Sequence, residues 1–344
     1  MLSLILPAWQ FGATGARVLM NRSLLIFVLS ITALASLAFG LSVGSAGTDP
    51  VLAWHSITGG GDPALREIIV ELRLPRVLAA FGVGASLAIA GVLMQVLLRN
   101  PMADPYILGT SGGAAFAALV AIMFSATGFL IDCAAFAGAL FSTLLVFSLI
   151  NTSVDHAPGR LLLTGIVVAA GWGAAISLIL ALAPEQNLRG MLFWLMGDFS
   201  FATAPLPSLV LSVSAVAIGL LISPTLNLLA TGNQQAALLG VSVGPTRTGL
   251  YFLGSLLTAV AVTTAGTVGF VGLVVPHLIR LAGDADHRTV VPCSALAGGT
   301  LLVIADTVAR TVVAPLQLPV GAITALLGVP LFLLLLRRLG SGQR

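Results

Sequence analysis

The chain has 344 residues, 58% of them hydrophobic and only 8% charged, with a formal net charge of +3. A mean hydropathy of +1.09 marks a polytopic membrane protein. At about 20 apolar residues per crossing of roughly 30 Å of hydrocarbon, ten spans use about 200 residues; the short loops that remain cannot form a soluble catalytic core. The fifteen basic residues are all arginine, which excludes a lysine-bearing phosphate loop and a Schiff-base enzyme.

In chain order, Arg17 and Arg22 precede an apolar run over residues 23–43. A signal-peptide core is usually about 7–15 residues, so this longer run reads as a retained first span that starts inside. Residues 44–72 then form an outer loop, whose Gly59-Gly60-Gly61 reads as a flexible turn. Spans 2 to 5 follow at 74–98, 106–126, 129–150 and 161–183. In span 2, Gly82, Ser86 and Ala90 place small residues on one face, a packing device of membrane helices. Residues 184–200 are too short to cross and carry Trp194, which suits a helix lying at the outer surface. Span 6 covers 205–226, and spans 7 to 10 cover 248–265, 267–282, 291–313 and 319–336.

The polar stretch 227–247 between spans 6 and 7 is the main break in the apolar pattern. Within it, residues 234–240 read as a short helix stopped by Gly240, with Gln234 and Gln235 as good helix formers. That helix leaves Ala237, Leu238 and Leu239 at the water surface, which suggests a partner contact; a helix lying against headgroups is the alternative.

Ten arginines fall inside and five outside (Arg66, Arg73, Arg76, Arg189 and Arg310), which supports this orientation with both termini cytoplasmic. The expected fold is all-α, a single domain over 1–344 with ten transmembrane helices. Spans 2–5 and 7–10 form two four-helix blocks related by inversion, as in transporters. Span 8, with Gly266, Gly269, Gly272 and Pro276, reads either as a broken helix lining a pathway or as a Pro-kinked packing helix. Cys133 and Cys293 fall near opposite faces, so no disulfide is expected between them. His55, His156, His277 and His287 show no metal-ligand spacing. Gly109-Thr110-Ser111-Gly112 fits a nucleophile pattern with His277 as a conceivable base, and an intramembrane serine protease is carried as a remote alternative. An ion-coupled carrier is another, although spans 5 and 10 lack internal ionisable groups.

The stretches LRLPR (72–76), NPMADPYILGTSGGA (100–114), GTVGFVGLVVPHLIR (266–280), DHR (286–288), ALAGGTLLVIADTVAR (295–310) and LPVGAITALLGVPLF (318–332) together resemble the FecCD family of permeases. These are membrane subunits of type II ATP-binding-cassette importers for heme, iron-siderophores and cobalamin. The resemblance implies a homodimer in the bacterial inner membrane, with two cytoplasmic ATPase subunits and a periplasmic substrate-binding protein. It implies no catalytic residue, metal or cofactor in this chain; ATP and Mg²⁺ belong to the ATPase subunit, and nucleic acid is not an expected partner. It makes 227–247 the coupling loop, with Gln234, Ala237, Leu238, Leu239 and Gly240 as its contact residues. It assigns Arg73, Arg76 and Arg310 to docking of the binding protein, against a local pairing of Arg310 with Asp306 four residues earlier. A cytoplasmic gate falls at Ala157, Pro158, Gly159 and Arg160, where Pro158 and Gly159 depart from the small hydroxyl residues frequent in the family. Heme is the expected substrate, ahead of ferric siderophore and cobalamin, and its propionates could meet Arg189.

Overall fold

The computed structural model describes residues 21–44, 47–48, 63–150, 158–200, 202, 204–283 and 285–340. Its helices are α1 (Arg22–Ser42), α2 (Pro63–Glu67), α3 (Leu74–Leu98), α4 (Thr110–Met123), α5 (Gly128–Ile150), α6 (Pro158–Leu182) and α7 (Glu185–Met196). They continue as α8 (Leu206–Leu221), α9 (Ser223–Thr231), α10 (Asn233–Leu238), α11 (Val243–Ala265), α12 (Val271–Ala282), α13 (His287–Thr311) and α14 (Val320–Gly340). A π-helical turn, Ile68–Arg73, leads into α3, and a 3-10 turn, Pro105–Leu108, precedes α4. The only strands among the described residues are β1 (Val43–Gly44) and β2 (Gly47–Thr48), a short antiparallel pair.

Each of the ten expected apolar segments is helical. Among the described residues six helices are long and apolar enough to cross a membrane, and α8 with α9, bent by 67°, counts as a seventh crossing if the pair is one span. The remaining three, α4, α12 and Val320–Leu334 of α14, are shorter apolar helices. The expected surface segment at 184–200 is the twelve-residue helix α7.

α3 is the centre of the bundle: every residue from 82 to 98 is buried. This helix is surrounded by neighbours on every side, and small residues let their backbones approach. Gly82 and Ser86 lie against α8, where Ser86 Oγ donates to the Ser208 carbonyl at 3.4 Å. A Cβ at Gly84 would run into the Gly298 carbonyl of α13, and one at Gly91 into the Gly272 carbonyl of α12. The sequence pattern suggested one small-residue face on this helix; the structure uses three.

The irregularity expected in span 8 lies upstream of Pro276. α12 runs through Pro276, whereas residues 266–270 are non-helical, with Gly266 at φ 67° and Phe270 at φ 70°. Gln95 Nε2 donates to the Leu273 carbonyl at 3.3 Å, beside the acceptor that the proline leaves unused. The break itself is packed inside protein. Tyr106 Oη accepts from Val268 N and donates to Val268 O, both at 3.0 Å, and Thr267 Oγ1 donates to the Leu195 carbonyl. Asp198 N donates to Ala265 O at 2.9 Å, and Val320 N to Gly197 O at 3.0 Å. The starts of α12 and α14, the end of α7 and the turn before α4 therefore meet at one place.

Filling one α3 crossing should weaken the fold. Gly84→Leu is expected to lower the thermal midpoint of the detergent-solubilised subunit, since overpacking costs typically about 1–3 kcal/mol. Gly249→Ala, where a Cβ meets nothing within 4 Å, is expected to be neutral or slightly stabilising.

Candidate functional site

At one end of the bundle the stretch 227–247 is more helical than its polarity suggested. α9 occupies its beginning and α11 starts at Val243, so Arg247 sits within a helix and is only 9% exposed rather than lying in a loop. α10, Asn233–Leu238, is shorter than the expected helix by two residues at its end. Gly232 at φ 136° and Gly240 at φ 86° bracket it, both conformations that favour glycine. Ala236 is fully buried and anchors the turn, whereas Leu238 and Leu239 are 87% and 63% exposed. Gln234 and Ala237 are exposed beside them. Two adjacent leucines at a helix end standing clear of their own chain form a compact apolar contact.

The α9–α10 unit is fastened to α13 by a set of polar contacts that the sequence reading missed. Asn227 Nδ2 donates to Asp286 Oδ1 at 2.8 Å, while Asn227 Oδ1 accepts from His287 N at 3.1 Å and lies 2.6 Å from His287 Nδ1. Asp286 caps α13, accepting from Arg288 N at 2.9 Å. Burial opposes ionisation of Asp286, but hydrogen bonds from Asn227 and Arg288 and the charges of Arg288 and Arg22 outweigh it, holding its pKa below the usual value. The cap was legible as an Asp before a helix; its pairing with a residue 59 positions away was not.

At the opposite end of the bundle Arg73, Arg76 and Arg310 are brought together, but turned inward. Arg73 is 8% exposed and donates to the Leu41 and Ser42 carbonyls at 3.0 and 3.2 Å, at the end of α1. Arg76 pairs with Asp306 at 2.8 Å, and its Nη1 reaches Gln317 Oε1 at 2.9 Å. Arg310 donates to the Gly40 carbonyl and lies 3.8 Å from Asp306. The three guanidiniums thus bind α1, α3 and α13 to one another, with the Gln317 side of Arg76 the most outward part. The local pairing considered for Arg310 is present, and Arg76 shares it.

Among the gate residues, Ala157 and the loop before it, like His55 and His156, lie outside the described residues. Pro158 begins α6, with Gly159 and Arg160 exposed in its first turn. Arg189 is exposed on α7, its guanidinium 5.7 Å from the centre of the Phe193 ring. Gly109, Thr110 and the start of α4 serve packing: Ser142 Oγ donates to Gly109 O at 2.8 Å, and Thr110 meets Thr143 at 3.3 Å. Both cysteines are free.

Comparison with known proteins identifies the family. The model of the FecCD transport family matches residues 28–338. The ABC transporter permease protein YvrB of Bacillus subtilis is 40% identical, over 95% of this chain and 97% of its own. The hemin transport system permease protein HmuU of Yersinia pestis is 41% identical, over 83% of this chain and 86% of its own. The Fe(3+) dicitrate transport system permease protein FecD of Escherichia coli is 40% identical, over 79% of this chain and 86% of its own. A solved metal-chelate type ABC transporter in an inward-facing conformation superimposes with a TM-score of 0.81 at 32% identity, covering 91% of this chain and 98% of that one. The chain therefore belongs to the FecCD transport family, as the multi-pass permease of an ABC importer of the class that takes up heme, metal chelates or cobalamin.

Proposed function

We propose that this permease moves heme into the cytoplasm as one of two identical copies, driven by two ATPase subunits at the α10 end and supplied by a binding protein at the Arg76 end. The observation that carries the reading is the exposed Leu238–Leu239 pair, held on a short helix between two spans. An ATPase cleft that closes on nucleotide can push on such a knob, and the knob needs no chemistry of its own. The exposed face of α6 supports the pairing of copies: only 11% of its apolar window is buried, against 89% for the span that contains α3. Residues 161–182 of α6 carry no ionisable group, so a pathway along this helix would offer a chelate few strong contacts and allow its release. For heme in particular, Arg189 above Phe193 presents a cation beside an aromatic ring, a combination suited to a flat macrocycle bearing carboxylates.

The direct test is uptake by the complete complex in proteoliposomes, with heme, a ferric siderophore and cobalamin each offered through the cognate binding protein. ATP-dependent uptake of heme is expected; uptake of one of the others in its place overturns the choice of heme and leaves the importer reading standing.

Coupling is tested at α10. Leu239→Asp places a charge on the apolar contact, and Gly240→Val forces a β-branched residue into a left-handed conformation that costs about 1–2 kcal/mol. Both variants are expected to insert normally while transport per ATP hydrolysed falls. Normal transport by either would remove α10 from the coupling route.

Docking is tested by separating charge from packing. Arg76→Glu is expected to weaken binding-protein association more than Arg76→Ala, with partial recovery on a Glu→Arg change in the partner; coupling of such pairs is about 1.5 kcal/mol or more. Asp306→Asn, in contrast, is expected to lower the stability of the permease without any partner present, because it removes the carboxylate that two arginines share. Unchanged association with the Arg76→Glu protein would take this cluster out of the docking surface.

A further inference from the structure

A push on α10 is useful only if it reaches the spans, and α10 has two covalent routes to them: forward into α11 and back into α9. The forward route runs through Leu239 to Ser242, where Gly240 would admit a Cβ without meeting any atom within 4 Å, and Val241 and Val243 pack against the core. The backward route is more deeply packed. Leu226, Leu229, Ala230 and Ala236 are buried, so α9 and α10 share one packed face, and the 67° bend at Ile222 sets α9 off from α8. A deeply buried unit transmits displacement with little loss.

From α9 the contact with the longest lever is Asn227. Its amide group bonds both residues that open α13: the Asp286 carboxylate through Nδ2, and the His287 main chain and ring through Oδ1. Because Asn227 Oδ1 can only accept, the proton in the 2.6 Å contact belongs on His287 Nδ1. His287 is 2% exposed, so these hydrogen bonds are shielded from competing water and costly to leave unmade. The same end of α13 continues to α1 through Arg22, which donates to the Arg288 carbonyl at 3.3 Å. At its far end α13 carries Asp306 and Arg310, whose partners are on α3 and α1.

We infer that Asn227 is the positioning residue through which displacement of the α9–α10 unit is passed to α13, the Asn227–Asp286–His287 contacts making α10, α9 and the start of α13 one rigid body. This rests on the coupling role proposed for α10, and it specifies which span α10 drives. The side chain touches neither substrate nor nucleotide. It acts by fixing the distance between α10 and α13 while the ATPase subunits move.

The test uses the whole complex, permease with ATPase subunits and binding protein, in proteoliposomes. Asn227→Ala removes every side-chain contact of the set, and Asn227→Asp keeps an acceptor for His287 but turns a second carboxylate toward Asp286. Both are expected to assemble and hydrolyse ATP, with substrate moved per ATP reduced on the order of ten-fold, the range of a typical coupling free energy. Asp286→Asn combined with Asn227→Asp is expected to recover most of that loss, since it restores a complementary donor and acceptor and asparagine also caps helices well. Recovery by the exchange is not expected if Asn227 only fills space. Unchanged transport per ATP in assembled Asn227→Ala complexes overturns the inference.

A second reading needs no change at Asn227. Spin labels at Gln235 on α10 and at Arg288 on α13 are expected to keep one separation in the nucleotide-free and ATP-bound complexes. A separation that changes between the two states overturns the inference even if the Asn227 variants fail to assemble. The Leu239→Asp result keeps the two ideas apart. Uncoupling by Leu239→Asp with normal transport by Asn227→Ala removes the relay alone, and normal transport by Leu239→Asp removes the coupling role beneath it.

Discussion

The architecture depends on a hydroxyl that serves both backbone polar groups of one residue: Tyr106 Oη accepts from the nitrogen of Val268 and donates to its oxygen. Backbone that leaves the helical state inside an apolar bundle has no water to turn to, and each unmade hydrogen bond there costs several kcal/mol. The interruption at 266–270 can exist because its neighbours are interrupted too. The turn before α4 supplies Tyr106, the end of α7 supplies the carbonyl of Leu195 and the nitrogen of Asp198, and α14 begins against Gly197. Close approach is enforced by glycines: a Cβ on Gly266 would strike the Trp194 carbonyl, and one on Gly321 the Met196 carbonyl. α4 and α12 are each the second helix of a four-helix block, and each is short with a non-helical lead-in. The lead-in of α4 serves the lead-in of α12 through Tyr106.

Around that junction the bundle is assembled by contact of backbones more than by interlocking of large side chains. There is no hydrophobic drive between helices already in lipid, so close van der Waals contact and hydrogen bonds must supply the association. α3 takes this furthest. Its glycines meet glycines of α12 and α13, and its Ser86 and Gln95 donate to carbonyls of neighbouring elements. The polar and charged residues follow the same logic at the two ends, where Arg73, Arg76 and Arg310 satisfy carbonyls and Asp306, and Asn227 satisfies the cap of α13.

Much of this was legible in the sequence because hydrophobic length is a strong signal: the positions of the ten apolar segments follow from composition, and Gly240 announced the left-handed end of α10. What failed to show was of two kinds. Pro276 drew attention to the middle of α12, where the helix continues and Gln95 serves a neighbouring carbonyl, whereas Phe270 at φ 70° gives no hint in its residue type. Long-range polar pairs were the other kind. Asn227 looked like one more polar residue of a loop, and Arg73 looked like a free rim charge, because neither carbonyl acceptors nor distant caps leave a periodic trace. The exposed leucines of α10 were readable because a short apolar run in a polar stretch has few ways to be buried.

The small share of α6 that is buried by its own chain has a consequence for how the molecule lasts. A span that meets so little of its own protein contributes little to the cohesion of a single copy, and its many apolar side chains gain contacts only from something outside the chain. Any species that covers α6 in the folded state and has no grip on the unfolded chain raises stability by mass action, as the logarithm of its concentration relative to its dissociation constant. Whatever covers α6 in the folded state, lipid or protein, therefore contributes to the lifetime of this permease in a membrane.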